Sequence, residues 1–218
     1  MLKDYNFIDT DNYKLEIYKD EDIDSPIEDE DFFGKIICEE YEDNYIGHDH
    51  NFNNLEEIKS YIKSNNLISI PIYIDEMVYR FLKTISLFTH TKKKDIESRQ
   101  IGFIYVSYKE TEEKFNNIKD IKKALSKSLR IYNDYLNNRV YSYKLYYKIK
   151  YKGKIFSNSS TVEWLNKIYN KSVENEKIFI DSVLIENKKG FYGKNLKENG
   201  IIDNLPIELK IKLKEKEM

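Results

Sequence analysis

The chain has 218 residues, with 36 Lys or Arg against 38 Asp or Glu, so its formal net charge is −2. Apolar residues make up 40% of the sequence and aromatic residues 14%, which excludes a fully disordered chain. No run of about 18 apolar residues occurs, so no membrane span or membrane partner is expected. The single cysteine, Cys38, has no partner for an internal disulfide, and the N-terminus lacks a signal-peptide pattern. Both features favour a cytoplasmic protein.

The charges are distributed unevenly along the chain. Residues 1–57 contain 19 acidic and four basic side chains, net −15, whereas residues 58–218 contain 19 acidic and 32 basic ones, net +13. The acidic extreme is a run of eight carboxylates without a cation: Asp20, Glu21, Asp22, Asp24, Glu28, Asp29, Glu30 and Asp31. Mutual repulsion and Pro26 disfavour regular structure there, so we expect an acidic loop over residues 20–31. Such a loop is either simply solvated, or it imitates nucleic-acid phosphates and docks on a basic groove of a partner.

The basic extreme is residues 139–154, RVYSYKLYYKIKYKGK, in which apolar and polar residues alternate at the period of a strand. The polar face carries Lys144, Tyr146, Lys148, Lys150 and Lys152. Lysines beside an aromatic ring can hold a phosphate backbone and stack a base. Alternatively, these lysines only solubilise an exposed strand and protect its edge. A third possibility is that the acidic N-terminal part folds against this strand within one molecule.

The first hundred residues predict three strands, at residues 14–18, 34–39 and 67–74. A helix is predicted between the last two of them. It begins after a capping Asn53 or Asn54, because a short side-chain oxygen satisfies an orphan amide, and it ends at Asn65. Pro71 lies inside the third strand and therefore predicts an edge position or a bulge.

The rest of the chain begins with a central strand at residues 101–108, in which Gly102 indicates a close approach of another backbone. Apolar residues at three- and four-residue steps then predict a long amphipathic helix over 118–136. Its opposite face carries Lys119, Lys122, Lys123 and Lys127. A short helix at about 160–171 and a strand at 177–184 follow. This order favours an α+β class with a mostly antiparallel sheet, in a single domain over residues 1–218.

The densest set of potential metal ligands is His48-Asp49-His50. On a strand, His48 and His50 point the same way and can share a divalent ion, with Cys38 or His90 as a third ligand. No second ligand motif occurs, and a polar loop explains the same residues. Cys38 lies in an apolar strand pattern and is expected to be a buried free thiol rather than a nucleophile. We therefore identify no catalytic residue and expect no cofactor.

Four stretches of the chain stand out: ESRQIGFIYVS (residues 97–107), YNDYL (132–136) before VY (140–141), DS (181–182) with GFYG (190–193), and IGHDHNF (46–52). They resemble, in that order, the DSGQ[IV]GFIYV core, the YDQYL…VYG segment, the DSCWGFYG ending and the LGDEHNF stretch of a family of uncharacterised small proteins from phages, plasmids and integrative elements. The family's first core glycine is Arg99 here, its Cys-Trp pair is missing, and residues 155–175 are expected to be an insertion relative to it. The resemblance implies an accessory gene of a mobile element and supplies no catalytic residues.

Three hypotheses follow from these features. The leading one is a non-catalytic phage or mobile-element protein that binds and inhibits a host defence nuclease, most concretely an anti-CRISPR protein. Its partner would be a host defence protein or ribonucleoprotein in the bacterial cytoplasm, contacted through the acidic loop or the basic strand. The first alternative is a protein that binds RNA or single-stranded nucleic acid through the basic strand. The second alternative is a metal-dependent hydrolase at His48 and His50.

Overall fold

The fold is taken from a computed structural model, which describes residues 7–42, 44–89, 97–153, 177–193 and 195–217. The described strands are β1 (Phe7–Asp9), β2 (Tyr13–Lys19), β3 (Lys35–Cys38), β4 (Ile68–Asp75), β5 (Leu87–Phe88), β6 (Ser98–Val106), β7 (Val140–Gly153) and β8 (Lys177–Tyr192). The described helices are α1 (Leu55–Ser64), α2 (Glu76–Leu82), α3 (Ile118–Leu136), α4 (Ile201–Asn204) and α5 (Ile207–Glu217). Helices together with antiparallel strands confirm the α+β class.

The chain divides into two compact units. Unit 1 comprises Met1–Tyr18, Ser142–Lys189 and Gly200–Met218, and unit 2 comprises Lys19–Tyr141 and Gly190–Asn199. The division does not test whether residues 1–218 form a single domain, so that organisation stays a prediction. The predicted helix at 160–171 and the whole predicted insertion at 155–175 lie outside the described residues.

The sheet of unit 2 has the strand order β3-β6-β4-β5, and its strands pair antiparallel. The predicted central strand is therefore confirmed as β6, which lies between β3 and β4. Gly102 pairs with Cys38 across β3 and β6, and a Cβ atom there would lie 2.6 Å from the Cys38 Cα. Only glycine permits this approach. Pro71 lies next to a register shift between Ile72 and Tyr73, which agrees with the predicted bulge.

Both faces of the unit 2 sheet are covered by helices. The apolar stripe of α3, which includes Leu125 and Leu129, joins Ile36, Ile72 and Ile104 in the main core. On the other face, Ile58 and Ile62 of α1 pack with Ile37 and with Phe103 and Tyr105. Neighbouring β3 residues enter opposite cores because side chains alternate along a strand. Asn54 and Asn117 cap α1 and α3, so both predicted helices have the expected starts.

Unit 1 also contains buried apolar residues. Its fully or nearly fully buried apolar residues come from the strands Phe7–Asp9, Tyr13–Lys19 and Val140–Gly153 and from the C-terminal helices, and they are Ile8, Leu15, Ile17, Tyr143, Leu145, Ile201, Leu205, Leu209 and Leu213. β7 lies between β2 and β8 in the order β1-β2-β7-β8. This interior position of β7 bears directly on whether its lysines are available to a partner.

Candidate functional site

The acidic loop lies between β2 and β3 and is anchored to the unit 2 core. Pro26 is buried, and Ile27 and Phe32 pack against the main core cluster. The expectation of no regular structure is wrong for one turn, because Pro26–Glu28 forms a short 3-10 helix. Pro26 occupies its first position, where the missing N–H costs no hydrogen bond. The turn packs against α3, so the loop has a defined position within unit 2.

The eight carboxylates of the loop fall into two groups. Asp20 is buried, and its backbone N–H donates to the Val140 carbonyl oxygen at 2.9 Å. The other seven, which we call the acidic patch, are exposed: Glu21, Asp22, Asp24, Glu28, Asp29, Glu30 and Asp31. None of these seven forms an ion pair with any residue that the structure describes. Within the described parts of the chain, the acidic patch therefore presents unpaired negative charge to solvent.

The predicted basic face of β7 is largely occupied by contacts within unit 1. The Lys148 side chain is only 12% exposed, its ammonium group pairs with the Asp9 carboxylate, and it donates to the Thr10 carbonyl oxygen at 2.6 Å. The Tyr146 hydroxyl donates to Glu16 Oε2 at 3.2 Å. These two side chains are the centre of the face for which the sequence predicted a phosphate-binding surface.

Residues of the neighbouring strand complete this internal network. The Lys144 ammonium lies 5.6 Å from the centre of the Tyr18 ring, as a cation–π contact. Lys14 Nζ lies 2.6 Å from Glu16 Oε1, and this hydrogen bond holds the pKa of Glu16 below its ordinary value. The contacts of Lys144, Tyr146 and Lys148 therefore agree with the third possibility raised by the sequence. In that possibility, the acidic N-terminal part folds against the basic strand. The side chains of Lys150 and Lys152 lie outside those that the structure describes.

His48 and His50 hold their loop to β3. His48 Nδ1 accepts the Ile36 N–H at 3.0 Å, and the His48 N–H donates to the Ile36 carbonyl oxygen at 2.8 Å. His50 Nε2 lies 2.8 Å from the Cys38 carbonyl oxygen, while its Nδ1 accepts the Phe52 N–H at 3.2 Å. Three of the four ring nitrogens thus contact backbone rather than facing a shared ion.

The described residues offer no cluster of three or more His, Cys, Asp or Glu side chains that is arranged to hold a metal ion. His90, the other candidate ligand, lies outside the described residues. Cys38 is buried and free, as predicted. Burial raises the pKa of its thiol, and the neighbouring Glu39 carboxylate raises that pKa further. The thiol is therefore protonated at neutral pH, which is the opposite of what a nucleophile needs.

A second charged surface lies on α3 and was not predicted as a site. Its cations, which we call the α3 basic face, are all exposed: Lys119, Lys122, Lys123, Lys127 and Arg130. A shallow groove of about 540 Å³ adjoins this helix. Its lining, which is mostly apolar, comprises Phe115, Asp120, Lys123, Ala124, Ser126, Lys127 and Arg130. The sequence pattern marked four of these lysines only as the solvent side of the helix. The sequence signal that could have indicated this surface is the four-residue spacing from Lys119 to Lys127, which Arg130 continues three residues later.

Within the part of the chain that the structure describes, no helix combines the length and apolarity needed to cross a bilayer. Comparison of the chain with protein-family models, with curated proteins and with solved structures gave no match. Function is therefore inferred from the charges and contacts described above.

Proposed function

We propose that this chain is a non-catalytic mobile-element protein that binds and inhibits a host defence nuclease, with an anti-CRISPR protein as the most concrete form. The observation that supports the proposal is the acidic patch, in which seven exposed carboxylates lie within an eleven-residue stretch without a compensating cation among the described residues. A nuclease binds its substrate through a cationic groove, because most of that affinity comes from phosphate contacts. A dense anionic surface is complementary to such a groove.

The anchoring of the loop strengthens this proposal. A loop that is free to move loses conformational entropy when it docks, which lowers its affinity. Here Pro26 is buried and Ile27 and Phe32 pack on the core, so the backbone between the carboxylates is already held. One local bond adds to this order, since the Asp29 side-chain oxygen accepts the Asp31 N–H at 2.9 Å. The patch is thus arranged before a partner arrives.

The test is a cleavage assay with purified host effector nucleases, both RNA-guided enzymes and restriction enzymes, at rising concentrations of the full chain. Inhibition by the wild-type chain and its loss in a neutral-loop variant support the proposal. The neutral-loop variant carries Glu21→Gln, Asp22→Asn, Asp24→Asn, Glu28→Gln, Asp29→Asn, Glu30→Gln and Asp31→Asn. Asp20 is left unchanged because it is buried.

A matched control separates docking from a general effect of net charge. It removes seven exposed carboxylates outside the loop: Glu42, Asp49, Glu112, Glu113, Asp181, Glu198 and Asp203. The control variant should inhibit as well as the wild-type chain. Unchanged cleavage at a large excess of the wild-type chain over every effector tested would remove the inhibitor proposal. Equal inhibition by the wild-type chain and the neutral-loop variant would remove the role of the acidic patch.

A further inference from the structure

Among the described residues of unit 2, the outer face of α3 carries a row of exposed cations. Lys119, Lys123, Lys127 and Arg130 recur at steps of four, four and three residues, so they lie on one side of the helix. The apolar residues of the opposite side, Ile121, Leu125, Leu129 and Tyr132, are buried in the main core. The cations therefore have fixed backbone positions and point to solvent.

No described residue neutralises this face. None of its five cations forms an ion pair within the described parts of the chain. Asp120, the acidic residue nearest in sequence, is engaged at the start of the helix, where its Oδ2 accepts from Asn117 Nδ2 at 2.7 Å. In β7, by contrast, the Lys148 side chain is only 12% exposed and its ammonium group is paired with the Asp9 carboxylate.

The dimensions of the face suit a polyanion. Eleven residues separate Lys119 from Arg130, which corresponds to about 16 Å along a helix with a 1.5 Å rise per residue. Duplex DNA carries about one negative charge per 1.7 Å of its axis, so several phosphates lie within that length. The adjoining groove is lined by Lys123, Lys127 and Arg130 but also by Asp120, and its surface is mostly apolar, so the exposed cations of the helix rather than the groove supply the phosphate contacts.

We propose that the α3 basic face is a nucleic-acid-binding site that contacts the phosphodiester backbone without reading base sequence. Phosphate contacts by Lys and Arg supply affinity that depends strongly on salt and little on sequence. This site is separate from the acidic patch and does not depend on the inhibitor function. It also differs from the basic strand predicted from the sequence, because the described lysines of that strand are already engaged.

The test measures binding of the full chain to fluorescein-labelled 20-nucleotide single-stranded DNA, the matching 20-base-pair duplex and an RNA of the same sequence, by fluorescence anisotropy. Salt is varied from about 50 to 300 mM. The wild-type chain should bind all three probes at low salt, with an affinity that falls steeply as salt rises and changes little when the base sequence is scrambled. Loss of each phosphate contact should lower the slope of log K against log salt by about 0.9 for the duplex.

The α3 variant carries Lys119→Gln, Lys123→Gln, Lys127→Gln and Arg130→Gln, which keep helix propensity close to its original level. Its affinity at 50 mM salt should fall at least tenfold, and the magnitude of its duplex salt slope should fall by about 3.6 if all four residues contact phosphates. A matched control removes four exposed lysines elsewhere, with Lys63→Gln, Lys189→Gln, Lys197→Gln and Lys212→Gln. Its affinity for the three probes should fall much less than that of the α3 variant.

A second variant changes the same lysines but keeps their charge. It tests whether lost binding comes from the lost charge or from a disturbed fold. Substituting the three lysines of the α3 variant by arginine should preserve the affinity and the salt slope of the wild-type chain. Equal losses in the α3 variant and in the matched control would overturn the proposal, because the binding would then follow net charge alone. Absence of binding to any of the three probes at 50 mM salt would overturn it as well.

Discussion

Lys148 of β7 and Asp9 of β1, which are 139 positions apart in sequence, form an ion pair inside unit 1. The lysine side chain is 12% exposed, whereas the aspartate side chain is 48% exposed, so the pair lies at the border between core and solvent. The same ammonium also donates to the Thr10 carbonyl oxygen at 2.6 Å. The most basic stretch of the sequence is thus held, at its centre, by the acidic N-terminal segment.

This pair predicts a stabilising role for Lys148. Replacing it by Met keeps the aliphatic stem but removes the charge, leaving the Thr10 carbonyl oxygen and Asp9 without their partner. We expect the free energy of unfolding to fall by about 1–2 kcal/mol, less than for a fully buried pair because Asp9 can be rehydrated. Urea denaturation measures this change. Lys63→Met, at an exposed lysine of α1, is the control and should change stability by less than about 0.5 kcal/mol. Equal stability of Lys148→Met and the wild-type chain would show that the pair contributes nothing.

His48 predicts a pH dependence of stability. Burial lowers the pKa of His48 from its ordinary 6.5, and its Nδ1 accepts the Ile36 N–H, which requires the neutral ring. Below pH 6.5 the unfolded chain therefore binds a proton more readily than the folded chain does. The contribution of His48 to stability is complete above pH 6.5 and is lost as the pH falls toward the lowered pKa.

The measurement compares the wild-type chain with His48→Asn, whose side-chain oxygen can accept the same N–H but does not titrate in this range. Between pH 7.5 and 5.5 the wild-type chain should lose more of its free energy of unfolding than His48→Asn does. Subtracting the two profiles cancels the contributions of the other titrating groups. Parallel profiles would contradict the assignment of a half-buried, neutral His48.

Gly102 predicts a large steric effect in the centre of the unit 2 sheet. An added Cβ would meet the Ile37 carbonyl oxygen and would lie 2.6 Å from the Cys38 Cα and 2.7 Å from its Sγ. Because two of these contacts are with backbone, Gly102→Ala should destabilise unit 2 by about 3 kcal/mol. Adding Cys38→Ala removes only the contact with sulfur and should not restore stability. Full recovery in the double variant, measured by urea denaturation, would show that the backbone approach is not the constraint.

The acidic loop is expected to have a second effect, on nucleic-acid binding. The Pro26–Glu28 turn packs against α3, and charges are screened only beyond about 10 Å at 0.1 M salt, so we expect the acidic patch to repel phosphates that approach the α3 basic face. The neutral-loop variant should therefore bind duplex DNA about threefold more tightly than the wild-type chain at 50 mM salt. The difference should disappear near 300 mM salt, where screening shortens the reach of the repulsion. Weaker binding by this variant would mean that the carboxylates do not oppose the phosphates.

Local features of the fold were predictable from the sequence, whereas the long-range pairings were not. α3 has the predicted bounds because its apolar period and its cap at Asn117 are both local signals. The close approach at Gly102 was also predicted correctly, since a glycine inside an apolar strand commonly marks a bulge or a nearby backbone. The partners of Lys148 and of His48 could not be predicted in this way. A lysine on a polar face has the same sequence pattern whether it meets water or Asp9, and an imidazole has the same pattern whether it meets a metal ion or the backbone of Ile36.

We propose that the acidic patch acts as a phosphate mimic in the substrate groove of a defence nuclease. The most direct measurement is equilibrium binding of labelled target DNA to an inhibited effector at rising concentrations of this chain. The wild-type chain should raise the apparent Kd for DNA in proportion to its concentration, as a competitor does, and the neutral-loop variant should leave that Kd unchanged. An effector that binds DNA equally well at all concentrations of the wild-type chain, while its cleavage is blocked, would contradict the phosphate-mimic mechanism.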